Sequence, residues 1–464
     1  MAMRRARREG AGEVLGAATV AVAGGGAEVG FAKGPELPRD FRPTPRRRTA
    51  MKIPLSLLLL MPLAGLRAEP LTADRIADLR GQIRANFFVP EPLPALEAKT
   101  HRRFSPAAGV VAEAVTYATE FGTRVPAIFY RPERLPAGGK VPGFVVVTGH
   151  GGDKYSWYAY YTGVAWARAG VAVLTYDQAG EGERGASGKS GTREHDKLKG
   201  DAVLARRLAG LMITDVRQAV SYLAARPEVD AARIGAGGYS LGSFVLALAG
   251  AVEPRLRACV LVGGGNLDGP GGYWDASSKT MCQGLPYQSL AFLGDRGAVM
   301  YALHAARGPT LIWNGRVDSV VAMGDSQDAF FEDLRGRVAK LRGTADGVFD
   351  FGFTEAGGHR PYWLTKPAVR WLERQLDFPA WTAAAIEAMG ETPIGAWAQR
   401  TNFPMDKLYA TEEREGGTRA VGGDVPGIAR EELSVFSRAE WETAKRATMF
   451  DAWVVAARAA DNLN

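Results

Sequence analysis

Gly238-Tyr239-Ser240-Leu241-Gly242 reads G-x-S-x-G, and its surroundings decide how the chain folds. Before it, Ala232-Arg233-Ile234-Gly235-Ala236-Gly237 is a short run suited to a buried strand; after it, Ser243-Phe244-Val245-Leu246-Ala247-Leu248-Ala249 suits a helix. A strand that turns sharply into a helix lifts the central hydroxyl clear of the sheet, and the flanking glycines let the backbone and the helix pack close. Ser240 held in this way can attack a carbonyl once a base lies beside it. The competing reading, a serine that merely caps the helix, does not account for glycines at both flanking positions.

Working outward, apolar strand runs alternate with helical stretches. Leu71 to Phe88 reads as an amphipathic helix ended by Val89-Pro90-Glu91-Pro92-Leu93-Pro94, and Val115 to Glu120 and Val125 to Tyr130 read as paired strands around Gly122. Strands are expected at Gly143–Thr148, Val171–Tyr176, Ile234, Cys259, Pro309–Trp313 and Phe349–Phe353. Helices are expected near Tyr160–Ala169, Ala202–Ala225, Met323–Val338 and Tyr362–Leu376. Strands alternating with helices predict an α/β fold, a mostly parallel sheet covered on both faces.

Reactive groups of such a sheet gather at the carboxyl ends of its strands. Asp318, in Trp313-Asn314-Gly315-Arg316-Val317-Asp318, follows one apolar strand; His359, in Ala356-Gly357-Gly358-His359-Arg360, follows the next. The chain order is serine, acid, histidine. The histidine takes the serine's proton and returns it to the leaving group; the carboxylate holds the imidazole tautomer and steadies its charge. Asp318 alone is equally a turn or capping residue, and Asp268, after Gly263-Gly264-Gly265, is the second candidate acid. His101 precedes the sheet, His195 lies in a polar stretch, His304 lies on a helix face and His150 shapes a loop. That loop, Gly149-His150-Gly151-Gly152, follows a strand and supplies backbone N–H groups. Gly151 and Leu241, the residue after the nucleophile, are the expected oxyanion donors, with Gly152 and Tyr239 in reach of substrate.

The net charge of +7 belongs to the leader: residues 1–68 hold 12 Lys and Arg against 5 Asp and Glu, leaving 45 of each in 69–464. A neutral body argues against nucleic acid as a partner. Met51-Lys52, the apolar run Ile53–Leu63 and Ala64-Gly65-Leu66-Arg67-Ala68 read as a signal peptide cut after Ala68, too short for a membrane span. Residues 1–50 read as upstream sequence ahead of a start at Met51, a better fit than a degenerate twin-arginine signal at Arg47-Arg48. The expected location is periplasmic or secreted. Two cysteines, Cys259 and Cys282, make no disulfide framework, although they can pair in an oxidising compartment; Cys259 sits in an apolar strand and suits a core thiol. With no C-x-x-C pair and five histidines, no zinc site is legible, and neither metal nor cofactor is expected. Gly188-Lys189-Ser190 fails as a P-loop because position 183 is Glu; Gly235-Ala236-Gly237-Gly238-Tyr239-Ser240 fails as a dinucleotide fingerprint because its sixth residue is Ser.

From about Val115 to Pro379 the chain resembles the α/β-hydrolase superfamily. Within it the chain is similar to the exported bacterial esterases of the acetyl xylan esterase and dienelactone hydrolase-like branch. The resemblance rests on Gly149-His150-Gly151-Gly152, Asp177-Gln178-Ala179-Gly180-Glu181-Gly182-Glu183-Arg184, Arg226-Pro227-Glu228-Val229-Asp230, the elbow, Gly315 to Asp318 and Gly358-His359. It implies a serine hydrolase for short acyl esters, including acetyl esters of carbohydrates, with no cofactor, and it implies that Asp177 helps shape the substrate pocket. Ser243 departs from the second glycine that many such esterases carry. Two alternatives stand beside this reading: a peptidase of the prolyl oligopeptidase type, against which the lack of preceding repeats counts, and an inactive binding protein on the same fold.

The implied organisation is upstream sequence at 1–50, a signal peptide at 51–68, an N-terminal helical segment at 69–114, the catalytic domain at 115–379 and a C-terminal helical extension at 380–464. Within the last, Trp381–Met389 and Arg438–Ala460 suit helices, and the run Glu412-Glu413-Arg414-Glu415-Gly416-Gly417 is expected to be a solvated loop. The segment Leu267–Gly297 reads as an insert fit to line an acyl pocket.

Overall fold

The computed structural model describes residues 70–461 apart from 137, 200, 270, 271 and 322. The expected signal peptide and the sequence before it lie outside the described residues. A nine-stranded sheet forms the centre, in the order β1-β2-β3-β5-β4-β6-β7-β8-β9. Its strands are β1 (Lys99–Ala107), β2 (Val110–Ala118), β3 (Arg124–Pro132), β4 (Val141–Val147), β5 (Ala172–Tyr176), β6 (Val229–Tyr239), β7 (Leu256–Val262), β8 (Thr310–Gly315) and β9 (Phe349–Thr354). The first three pair antiparallel; from β5 through β9 neighbouring strands run parallel. Every residue of β4 and β5 is buried, which is why these strands read as continuous apolar runs and not as alternating ones.

Four helices frame the site's scaffold: α1 (Ala73–Asn86), α2 (Trp157–Arg168), α3 (Ala202–Ala224) and α4 (Leu241–Val252). One face of the sheet packs on α1, α3 and α4 through residues such as Ile83, Leu208, Val216 and Leu246. The other packs on α2 and the helix Lys366–Leu376 through Trp166, Val369 and Leu372. Among the described residues no helix is long and apolar enough to cross a membrane.

The segment 69–114 is not simply helical. After α1 it enters β1 and the start of β2, so the sheet begins before residue 115. Lys99-Thr100-His101-Arg102-Arg103-Phe104 is polar because β1 is an edge strand, with register shifts between Thr100 and Arg102 and between Phe104 and Ala107. Charges and bulges are how an edge avoids further pairing, and they hide the strand from a hydrophobicity pattern.

Candidate active site

Strand β6 ends at Tyr239 and α4 begins at Leu241, leaving Ser240 as the turn. Its φ of 56° and ψ of −117° are strained for a non-glycine residue, and the arrangement is that of a nucleophile elbow. The Ser240 side chain makes no capping hydrogen bond to α4, which removes the helix-cap reading. Ser240 N–H donates to Val262 O at 2.9 Å, tying the elbow to the end of β7. A side chain at Gly242 would run into the carbonyls of Val147 and Thr148, so α4 starts directly against the end of β4.

Asp318 and His359 meet beyond the ends of β8 and β9. His359 Nδ1 lies 2.7 Å from Asp318 Oδ2, with both side chains buried. The other carboxylate oxygen accepts from Val320 N at 2.8 Å and Val321 N at 3.0 Å. Burial pushes the Asp318 carboxyl up, but His359 and the two amides outweigh it and leave the group below its ordinary value. Tyr239 Oη donates to His359 O at 3.1 Å and its ring stands 4.9 Å from the imidazole. Gly263, at φ 60°, leaves room for that imidazole, since a Cβ there would come within 2.6 Å of Cε1. Ser240 and His359 both line one cavity of ≈ 1260 Å³.

The rival groups are engaged elsewhere. Asp268 pairs with Arg296 at 2.8 Å and accepts from Gly297 N at 3.0 Å. His101 contacts Thr116 at 3.0 Å, and His304 is buried between Ala247 O and Thr310. Gly149, His150, Gly151 and Gly152 line the same cavity as Ser240, because β4 runs beside β6 with Val147 opposite Gly238. Gly151 takes φ 77°, and its carbonyl accepts from Gly191 N at 2.9 Å. Leu241 opens α4, where backbone N–H groups have no acceptor within the helix. Gly152 and Tyr239 also reach the cavity.

Asp177, which the resemblance put at the substrate pocket, is not among the residues that line the cavity. It is fully buried, with Lys154 Nζ 2.5 Å and Glu183 N 2.8 Å from Oδ2. Lys154 also meets Glu183 at 2.8 Å, and Glu183 accepts from Val435 N and Phe436 N at 2.9 Å each. This buried charge cluster joins the loop after β4 to the C-terminal segment from below.

That C-terminal segment supplies much of the wall. Phe403, Met405, Tyr409, Arg414, Glu415 and Arg430 face the cavity, as do Tyr273, Ser277, Lys279 and Gln283 of the Leu267–Gly297 insert. Arg360, the residue after His359, grips the segment: Nη1 donates to Gly417 O at 2.8 Å, Nε to Arg414 O at 3.1 Å and Nη2 to Glu412 O. The run 412–417 is therefore not simply a solvated loop. Glu412 and Glu413 are exposed, but Glu415 is buried and accepts from Trp157 Nε1 at 2.6 Å. Burial lifts the Glu415 carboxyl to about 7 against the opposing hydrogen bond from Trp157. Among the described residues, the helices of this region are Ala383–Ala388, Ile394–Thr401, Arg438–Thr448 and Phe450–Asp461, apart from short 3₁₀ turns.

One constellation escaped the sequence. His150, His195, Asp196 and Cys282 each present a ligand-type atom, all within 4.8 Å of one another. The donors come from the loop after β4, the stretch after β5 and the insert, so no chain spacing announces them. Cys259 and Cys282 are both free buried thiols.

Residues 95–262 match the family model of acetyl xylan esterase (AXE1). The match takes in the loop 149–152 and the elbow and ends with β7, before Asp318 and His359. No curated protein matches the chain. Among solved structures, a methylesterase superposes with a TM-score of 0.55 at 19% identity, covering 84% of this chain and 76% of that one. An acetyl xylan esterase from Paenibacillus gives 0.44 at 18% identity, covering 68% and 100%. Another, from Thermoanaerobacterium, gives 0.40 at 18% identity, covering 65% and 94%. The sheet order and the methylesterase superposition identify an α/β-hydrolase fold. With the acetyl xylan esterase pattern across residues 95–262, the chain is a carboxylic ester hydrolase with an α/β-hydrolase fold.

Proposed function

We propose that the protein is an exported serine esterase acting on short acyl esters of carbohydrates. Ser240 Oγ attacks the ester carbonyl while His359 takes its proton, and Asp318 holds the imidazole by Nδ1. The N–H groups of Leu241 and Gly151 stabilise the oxyanion. Collapse expels the alcohol with the proton from His359, and water, activated by the same histidine, releases the acid from the acyl-enzyme. The observation that carries this reading is the 2.7 Å His359–Asp318 pair beside a cavity that also holds a serine in elbow geometry.

The substrate class rests on the cavity itself. Its ≈ 1260 Å³ exceeds the roughly 300–1,000 Å³ typical of small-molecule pockets. The aromatic side chains in its lining, Tyr155, Trp157, Tyr158, Phe403 and Tyr409, suit sugar rings, whose C–H faces are apolar. Export rests on the charged start, short apolar run and small residues of 51–68. The test is acetate release from acetylated xylooligosaccharides by wild type and Ser240→Ala. Loss of release in the variant supports the reading; undiminished release by Ser240→Ala, or cleavage of peptides and not of esters by the wild type, overturns it.

A further inference from the structure

We propose that His150, His195, Asp196 and Cys282 form a binding site for a divalent cation of the zinc class. His195 Nδ1 lies 3.1 Å from the carbonyl oxygen of Ala179, which can only accept, so Nδ1 carries the hydrogen and Nε2 presents a lone pair. His195 is fully buried and that Nε2 has no hydrogen-bond partner. It points toward another acceptor: Asp196 Oδ1 stands 3.6 Å away. Two lone pairs facing each other at this distance repel unless a proton or a cation lies between them.

The remaining donors complete the set. His150 Nε2 is 3.0 Å from Asp196 Oδ1, and Cys282 Sγ is 3.6 Å from His150 Nε2 and 3.8 Å from Asp196 Oδ1. Four ligands about 2.0–2.3 Å from one ion at tetrahedral angles stand about 3.3–3.8 Å apart, close to these separations; the two imidazoles are stacked at 16°, so the partly exposed His150 turns to aim Nε2 at the shared ion. Two imidazoles, one carboxylate and one thiolate match zinc in donor type, and their two negative charges neutralise a divalent ion. Binding replaces the thiol proton of Cys282, which leaves for solvent, and no electron moves. Lys279 holds the second Asp196 oxygen at 2.9 Å, turning Oδ1 toward the cluster. His150 is partly exposed on the cavity wall, which provides the way in.

The site would join three distant stretches of chain at the point where Gly149-His150-Gly151 borders Ser240. It is a structural clip with all four positions taken by protein, and binding is read without reference to ester hydrolysis.

The full chain, stripped with chelator, is titrated with Zn²⁺ and in parallel with Co²⁺. One equivalent of zinc should stay bound through desalting and raise the melting temperature. The cobalt form should show tetrahedral visible bands and a thiolate-to-cobalt band in the near ultraviolet. Cys282→Ser should lose the thiolate band, and Cys282→Ser and His195→Gln should each weaken zinc binding by on the order of 100-fold. Circular dichroism of the stripped variants checks their fold, and the wild-type cobalt spectrum needs no variant. No retained zinc, a cobalt spectrum without the thiolate band, or unchanged zinc affinity in both folded variants overturns the proposal.

Discussion

The floor of the cavity and its walls are made in different ways. The floor is the row of strand ends, where the parallel registers of β4, β6 and β7 set the loop 149–152 beside Ser240, and Asp318 and His359 follow β8 and β9. The walls are the insert after β7 and the segment beyond the helix Lys366–Leu376, the latter held by apolar packing of residues such as Trp397, Phe403 and Val421, by a two-residue strand pair and by side chains that reach backbone groups far along the chain. Arg360 grips carbonyls of residues 412–417, Glu183 accepts from Val435 and Phe436, and Trp397 Nε1 donates to Val425 O at 2.7 Å. A ladder fixes many groups at once, so the floor is stiff and suited to bond making. The walls lie outside the ladder and present side chains from separate stretches of chain to the cavity, which suits them to choosing the substrate.

Changes in the floor should strike the rate and changes in the walls should strike recognition or stability. Ser240→Ala should cut turnover by on the order of 10⁶, measured on an aryl acetate with residual activity corrected for contamination. Asp318→Asn should cost on the order of 10⁴ in kcat with little change in KM, because the imidazole loses its tautomer and its charge partner. A wall variant with a comparable loss of kcat would break the distinction.

Glu415→Gln tests where wall and floor touch. A carboxyl lifted by burial from 4.5 to about 7 stabilises the fold most below its unfolded value, and that contribution is lost as pH rises through 7. The glutamine keeps an acceptor for Trp157 and has no charge to desolvate. The variant's stability advantage over wild type should therefore grow between pH 5 and pH 8, up to about 3 kcal/mol, read from denaturant melts at each pH. A constant difference across that range contradicts the assignment. Smallest, Tyr409→Ala should raise KM for an acetylated oligosaccharide about tenfold, equivalent to about 1.4 kcal/mol, and raise it less for an aryl acetate.

The same division explains what the sequence reveals. The elbow is legible because five neighbouring residues carry its geometry, and Asp318 and His359 because each follows an apolar strand run. Strand β1 is illegible because an edge strand wears the polar residues of a loop. Asp177 occupies a strand end, where pocket residues gather, yet the buried Lys154 takes its carboxylate. Glu415 sits in an acidic run, and only the long-range approach of Trp157 removes it from water. The cluster of His150, His195, Asp196 and Cys282 depends on three turns meeting, information carried by the whole fold and by no local spacing.

Everything proposed for the floor turns on Ser240 as the nucleophile that the strand ends prepare. The most direct measurement is fluorophosphonate labelling of the full chain, with the adduct mapped by peptide mass. One adduct is expected, on Ser240, forming in step with loss of esterase activity and much more slowly in His359→Ala. An adduct on another residue, or full inactivation with Ser240 unmodified, would contradict it.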